Sequence, residues 1–213
     1  MKTKLMTMVA ALGLALASNG RANLLITGIF DGDLSGGLPK GVELFVLNDI
    51  ADLSIYGIGS ANNGGGTDNE EFTLSGTATA GDYIYIASEA TGFNTWFGFS
   101  PTFTNSAASI NGDDAIELFQ NGSVIDVFGD INSTTGFNYA DGWAYRIDNT
   151  GPDGTTFNAS NWSINAGAFD TFTSNAGASN PMPIGTYAIP EPSVAAMLLI
   201  GMGFLFRFFR KQK

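Results

Sequence analysis

The chain has 213 residues, a formal charge of −11, 28 glycines, and neither cysteine nor histidine. That length holds one ordinary domain plus terminal signals. The missing residue types exclude disulfides, thiolate nucleophiles, Cys-type zinc and iron–sulfur sites, and the commonest general base and transition-metal ligand. Carboxylates, hydroxyls, amides and nine unevenly placed Lys or Arg residues remain.

Residues Met1 to Ala22 open with Lys2 and Lys4, continue with an apolar run from Leu5 to Ala17, and finish in small residues up to Ala22. This three-part layout predicts a secretory signal peptide over 1–22, cut after Ala22 or, as a second option, after Ala17. The apolar run is shorter than the ~20 residues a spanning helix needs.

From residue 23 onward the local pattern is β. Runs rich in β-branched and aromatic residues predict strands at Leu24–Phe30, Val42–Leu47, Ser54–Ile58, Glu71–Leu74 and Asp82–Ala87. The same signal continues at Ala115–Phe119, Val124–Phe128, Trp143–Arg146 and Asn161–Ile164. Asp82–Ala87 and Glu117–Phe119 alternate with a period near two, and no internal segment has helical periodicity over three turns. Asn121-Gly122 sits between two apolar runs as a type I′ hairpin turn should. Gly59–Asn69 and Asp130–Asn138 read as loops, and Phe93–Phe103 as an aromatic-rich stretch outside the strands. Regular short strands predict an all-β fold, an antiparallel sandwich over 23–172. Residues 173–189 read as a linker carrying that domain away from the membrane.

The last two dozen residues change character again. Pro190, Glu191 and Pro192 precede an uncharged, mostly apolar run from Ser193 to Phe206, which Arg207, Arg210, Lys211 and Lys213 follow. If Arg207 snorkels, the apolar stretch reaches Phe209, about 17 residues, the lower limit for a bilayer span. A transmembrane helix is therefore predicted, with its basic tail cytoplasmic and the domain outward. The two prolines hold the junction extended and stop the helix from propagating outward.

Dividing the chain sharpens its charge. Between 23 and 189 only Lys40 and Arg146 oppose nineteen acids, a net charge of −17. Nucleic-acid binding through a basic patch is thereby excluded, while divalent cations, neutral sugars and cationic partners are not.

Three constellations could carry chemistry. Asp31-Gly32-Asp33 resembles the front of an EF-hand loop, and hard oxygen ligands suit Ca²⁺. The loop-closing acid is displaced, however, because Val42 stands at the twelfth position and Glu43 follows it. A calcium site from Asp31, Asp33 and Glu43 is one reading, and an acidic turn bonding its own backbone is the other. Asp113 and Asp114 could act as paired carboxylates on a glycosidic bond, but sequence neighbours on a strand point to opposite faces; Asp126 and Asp130 invite the same objection. Trp96, Phe97 and Phe99, with Phe103, could stack on sugars or could plug one end of the core.

Two stretches resemble known families. Proline, acid, proline, a short apolar helix and an arginine-rich end at 190–213 closely resemble the PEP-CTERM sorting signal. That resemblance implies processing by an exosortase, a membrane-embedded enzyme, in a Gram-negative bacterium that makes exopolysaccharide. Separately, Leu25-Ile26-Thr27-Gly28, Gly41-Val42-Glu43-Leu44-Phe45, Phe72-Thr73-Leu74-Ser75-Gly76, Gly112-Asp113-Asp114-Ala115-Ile116-Glu117-Leu118 and Val124-Ile125-Asp126-Val127-Phe128-Gly129 occur in the order seen in bacterial lamin-tail domains. This second resemblance, over Asn23 to Arg146, implies an immunoglobulin-like sandwich that binds or spaces and has no chemistry of its own. Gly28 stands where that family commonly has Glu, and too few residues follow Arg146 for a linked nuclease.

The combined expectation is a non-enzymatic, acidic β-sandwich without a cofactor, Ca²⁺ being the one ion its residues could take. It would be anchored in the inner membrane before processing and then held in the cell envelope, surface or extracellular matrix. A Ca²⁺-dependent adhesin, an exopolysaccharide-binding protein and a carboxylate-only glycosidase are the alternatives.

Overall fold

A computed structural model describes residues 22–189. The predicted signal peptide up to Arg21, the Pro190–Glu191–Pro192 junction, the apolar run and the basic tail lie outside the described residues. Ten strands form: β1 (Leu24–Leu34), β2 (Leu38–Val46), β3 (Tyr56–Ala61), β4 (Phe72–Thr73), β5 (Tyr83–Ala87), β6 (Phe103–Thr104), β7 (Ala115–Gln120), β8 (Ser123–Phe128), β9 (Gly142–Arg146) and β10 (Trp162–Asn165). Among the described residues one α-helix, α1 (Ala90–Phe97), lies between β5 and β6. No helix among the described residues is long and apolar enough to cross a membrane.

The strands divide into a six-stranded sheet, ordered β10-β9-β1-β2-β5-β6, and a four-stranded sheet, ordered β4-β3-β7-β8. Apart from the two-residue parallel pairing of β5 with β6, every pairing is antiparallel. Leu24, Ile26, Ile29, Val42, Leu44 and Ile86 from the first sheet meet Tyr56, Ile58, Ile116, Leu118 and Phe128 from the second in one buried core. The β7–β8 turn is the expected one, with Asn121 at φ 51° and Gly122 at φ 73°, both positive as type I′ requires.

The larger sheet has a second buried face. Leu25, Phe30, Trp143 and Tyr145 point away from the sandwich into a cluster with Phe93 and Trp96 of α1 and with Phe169, Met182 and Tyr187. This two-sided burial explains why β1 reads as a continuous apolar run, since successive side chains leave for two different cores. It also corrects the expected linker: residues 173–189 pack on the outer face of the sheet, with Met182 and Tyr187 buried. Polar composition hid the few apolar anchors that hold this segment down, although each contributes roughly 1.5–3 kcal/mol when fully buried.

Three other elements depart from the sequence reading. Asp31, Gly32 and Asp33 are in strand, because the β1–β2 hairpin runs on to Leu34 and Leu38 before it turns. Ser60 and Ala61, assigned to a loop, extend β3 opposite Ile116 and Ala115. The aromatic stretch begins as helix α1, capped where Glu89 accepts from the Gly92 N–H and stopped by Gly98 at φ 81°.

Between the sheets lies a buried ion pair. Arg146, 1 % exposed, donates from Nη2 to both carboxylate oxygens of Asp126 at 2.8 Å, from Nε to the Ile26 carbonyl at 2.6 Å, and from Nη1 to Asp153 at 3.1 Å. Asp126 also accepts from the backbone N–H groups of Ile26 and Asp153, and the guanidinium lies 4.4 Å from the Trp162 ring centre. Burial pushes the Asp126 carboxyl up, against the pull of Arg146 and the two N–H groups. Removing one partner strands a charge in the core, so Arg146→Met should lower unfolding free energy by about 3–5 kcal/mol. The double change Arg146→Met with Asp126→Leu should recover part of that loss, as urea titration of both variants would show.

Candidate functional site

The expected calcium ligands do not converge. Asp31 lies opposite Lys40 in the β1–β2 register and Glu43 lies opposite Gly28, three positions along, so the two carboxylates leave opposite faces of the sheet. Asp31 accepts from Lys40 Nζ at 2.6 Å, and the same ammonium donates to the Ile110 carbonyl and to Asn111. Asp33 accepts from the Thr171 N–H. Among the described residues no group of three acids is placed to hold a metal ion. The EF-hand-like spacing fails because it presumed a loop, whereas the residues stand on a paired strand.

The sugar-stacking residues are also largely spent. Trp96 is 1 % exposed and packs on Phe169 with ring centres 4.7 Å apart. Phe97 and Phe99 are half-buried, both in contact with Phe93, and Phe97 also meets Phe30. These rings cover the outer face of the larger sheet, so Trp96 has no free face to offer a glycan. The paired carboxylates divide as well. Asp114 is fully buried and accepts from the backbone N–H groups of Asn63 and Asn111, holding two loops, whereas Asp113 is half-buried beside a shallow opening shared with Asp31 and Asn138.

The structure instead gathers polar chemistry around Glu43, where the chain leaves the domain. A bulge in β1 sets Thr27 and Gly28 together against Glu43. The carboxylate, 0 % exposed, accepts from Thr27 Oγ1 at 2.7 Å and from the Tyr145 hydroxyl at 2.8 Å on Oε1, and from the Gly185 N–H at 2.7 Å on Oε2. The Tyr145 hydroxyl in turn accepts from the N–H groups of Thr186 and Tyr187. Three further bonds finish the segment: Tyr83 donates to the Tyr187 carbonyl at 2.6 Å, the Ala188 N–H donates to Asp148, and the Ala188 carbonyl accepts from the Asn149 N–H. Residues 185–188 thus form a strap fastened to β2, β5 and β9.

Gly28 belongs to the same arrangement. A Cβ there would run into the Met182 side chain and crowd Glu43 and Tyr145. The acid that the lamin-tail resemblance places at this position has no room beneath the strap, and Glu43 is the buried carboxylate there. Tyr145, Met182 and Tyr187 were not singled out from sequence. Their signal was faint: a charged residue inside the apolar run Val42–Phe45, and isolated apolar residues in a polar stretch.

Burial without a cation among its bonding partners pushes Glu43 up from 4.5 to about 7, partly offset by its three hydrogen-bond donors. Between pH 4.5 and 7 the folded chain then keeps a proton that the unfolded chain releases, so stability falls as pH rises through that window. The loss is on the order of 3 kcal/mol. Glu43→Gln should be less stable at low pH but lack this component, so the gap between wild type and variant should narrow from pH 4.5 to pH 8 in denaturant titrations.

The strap also marks a boundary. Residues 188–213 match the PEP-CTERM protein-sorting motif, which starts at the last residue the strap fastens. No curated protein and no solved structure matches the chain. The motif makes the chain an exosortase-targeted secreted protein, anchored transiently in the membrane.

Proposed function

We propose that the chain is a non-enzymatic β-sandwich module of the cell envelope or extracellular matrix of a Gram-negative bacterium that makes exopolysaccharide, delivered folded to the exosortase. The observation that carries this reading is the employment of the carboxylates. With neither His nor Cys, a glycosidase here would need two acids converging in a cleft. Yet Glu43, Asp114, Asp126 and Glu71 accept internal hydrogen bonds, and Asp31 and Asp153 are paired with cations. Acids in this domain fasten loops and strands to one another.

The lamin-tail reading of 23–146 belongs to the same proposal. What supports it is a pair of mostly antiparallel sheets in which that stretch supplies nine of the ten described strands. A binding or spacing role fits a module whose aromatic residues fill its own cores. In cells containing an exosortase, mass spectrometry of the mature protein should find a C-terminus near Pro190; an intact Lys213 end would reduce the tail to an ordinary anchor. Incubation of the mature protein with exopolysaccharide should leave polymer length unchanged. Shortening that Asp113→Ala abolishes would instead establish an enzyme.

A further inference from the structure

We propose that Lys40 and Asn111 join in an amide cross-link between the two sheets, a bond the folded chain makes for itself with Asp31 as proton carrier. Lys40 is one of two cations between 23 and 189. Its ammonium is set among three acceptors: the Asp31 carboxylate at 2.6 Å, the Ile110 carbonyl at 2.8 Å and Asn111 Oδ1 at 2.9 Å. A carbonyl carbon lies about 1.2 Å behind its oxygen, so the Asn111 Cγ is no more than about 4.1 Å from Nζ. The Lys40 and Asp31 side chains are only 14 % and 9 % exposed, so little water competes for either. An amine and an amide held this close react as if at a concentration no solution reaches.

The fold holds each partner in place. Lys40 stands opposite Asp31 in the β1–β2 ladder, and its own carbonyl accepts from the Ser88 N–H. Asn111 lies in the turn before β7, where its N–H donates to the buried Asp114 carboxylate and its carbonyl accepts from the Asp114 N–H. That turn is pinned again at Gly112, where the Ala140 backbone leaves no room for a side chain. Burial pushes the Asp31 carboxyl up, Lys40 and the Gly112 N–H pull against it, and the charge of Asp141 adds to the rise.

The step balances without a co-reactant. Asp31 takes one proton from the Lys40 ammonium, which frees the Nζ lone pair to form a bond with Asn111 Cγ. Asp31 then hands its proton to Nδ2 and takes a second one from Nζ, the Cγ–Nδ2 bond breaks, and ammonia leaves. An ammonium, a carboxylate and a carboxamide become a secondary amide, a carboxylic acid and ammonia, and a partly buried ion pair becomes two neutral groups. Asp31 and Asn111 both line the shallow opening beside Asp113, which gives ammonia a way out. The bond ties β2 of the larger sheet to the entry of β7 in the smaller one, 71 positions away. A chain without cysteine thereby gains the constraint on its unfolded state that a disulfide supplies elsewhere.

Peptide mapping of the purified full chain by mass spectrometry, after chymotryptic digestion, tests the bond directly. The expected product is one peptide in which the Lys40 and Asn111 segments are joined, about 17 Da, one ammonia, lighter than their sum. Lys40→Arg keeps a cation beside Asp31 but removes the amine, and Asp31→Asn keeps the size of the proton carrier but removes its acid. Both variants should give separate peptides and a lower melting temperature. Separate peptides of unaltered mass from the wild type would overturn the bond. So would an ammonia loss confined to the Asn111-Gly112 peptide, the mark of a succinimide formed by that pair alone. Joined peptides in Asp31→Asn would overturn the role given to Asp31. The wild-type map needs no variant to fold, so it decides the existence of the bond by itself.

Discussion

The Arg146 guanidinium joins the two sheets, and much of the architecture is arranged around its desolvation. An arginine side chain has five N–H donors and cannot shed its proton, so a buried one must be met by acceptors. Here they come from both sheets and from a loop: the Ile26 carbonyl on β1, both oxygens of Asp126 on β8, and Asp153 beyond β9. Asp126 closes the circuit by accepting from the Ile26 and Asp153 N–H groups. The result fixes the register of β8 against β1, two strands that share no ladder, and draws the 150–153 loop over the end of the core. Such a pair adds little net stability relative to a well-packed apolar substitute, and its value is in disfavouring every arrangement that leaves a charge unmet.

The larger sheet poses a second problem, because both of its faces are apolar. The smaller sheet covers one. The other receives α1 and the chain from 166 to 188, and the fit there is close enough that Gly28 must lack a side chain. Glu43 is the polar exception on this face. Its three donors and its rise toward neutral pH have one origin, a carboxylate sealed beneath a strap with no cation bonded to it.

What the sequence disclosed follows from the range of the interactions involved. Strands and the Asn121-Gly122 turn depend on neighbours in the chain, and most strands appear within a few residues of where period and turn residues put them. The sorting motif is contiguous and equally legible. By contrast, the partner of Arg146 is twenty positions away and its identity depends on sheet register. Glu43 and Gly185 are 142 positions apart, so no local pattern could reveal that the presumed linker was part of the fold. The calcium reading failed for the same reason in reverse: a local spacing was given the meaning it has in a loop, and pairing of Asp31 with Lys40 had already made it a strand.

The overlap of fold and signal has a consequence for export. The sorting motif begins at Ala188, whose N–H bonds Asp148 and whose carbonyl accepts from Asn149, so the residue that opens the signal is also the last one the domain holds. A flexible spacer would let the processing enzyme work without regard to the state of the domain. With a strap, the course of residues 185–188 depends on the Glu43–Tyr145 bonds being made, and those bonds require β2 and β9 to be in register on either side of β1. Completion of the six-stranded sheet and fastening of residues 185–188, where the motif begins, are therefore one structural event. A chain whose sheet is incomplete would offer the same motif sequence on a segment no longer fastened to the domain.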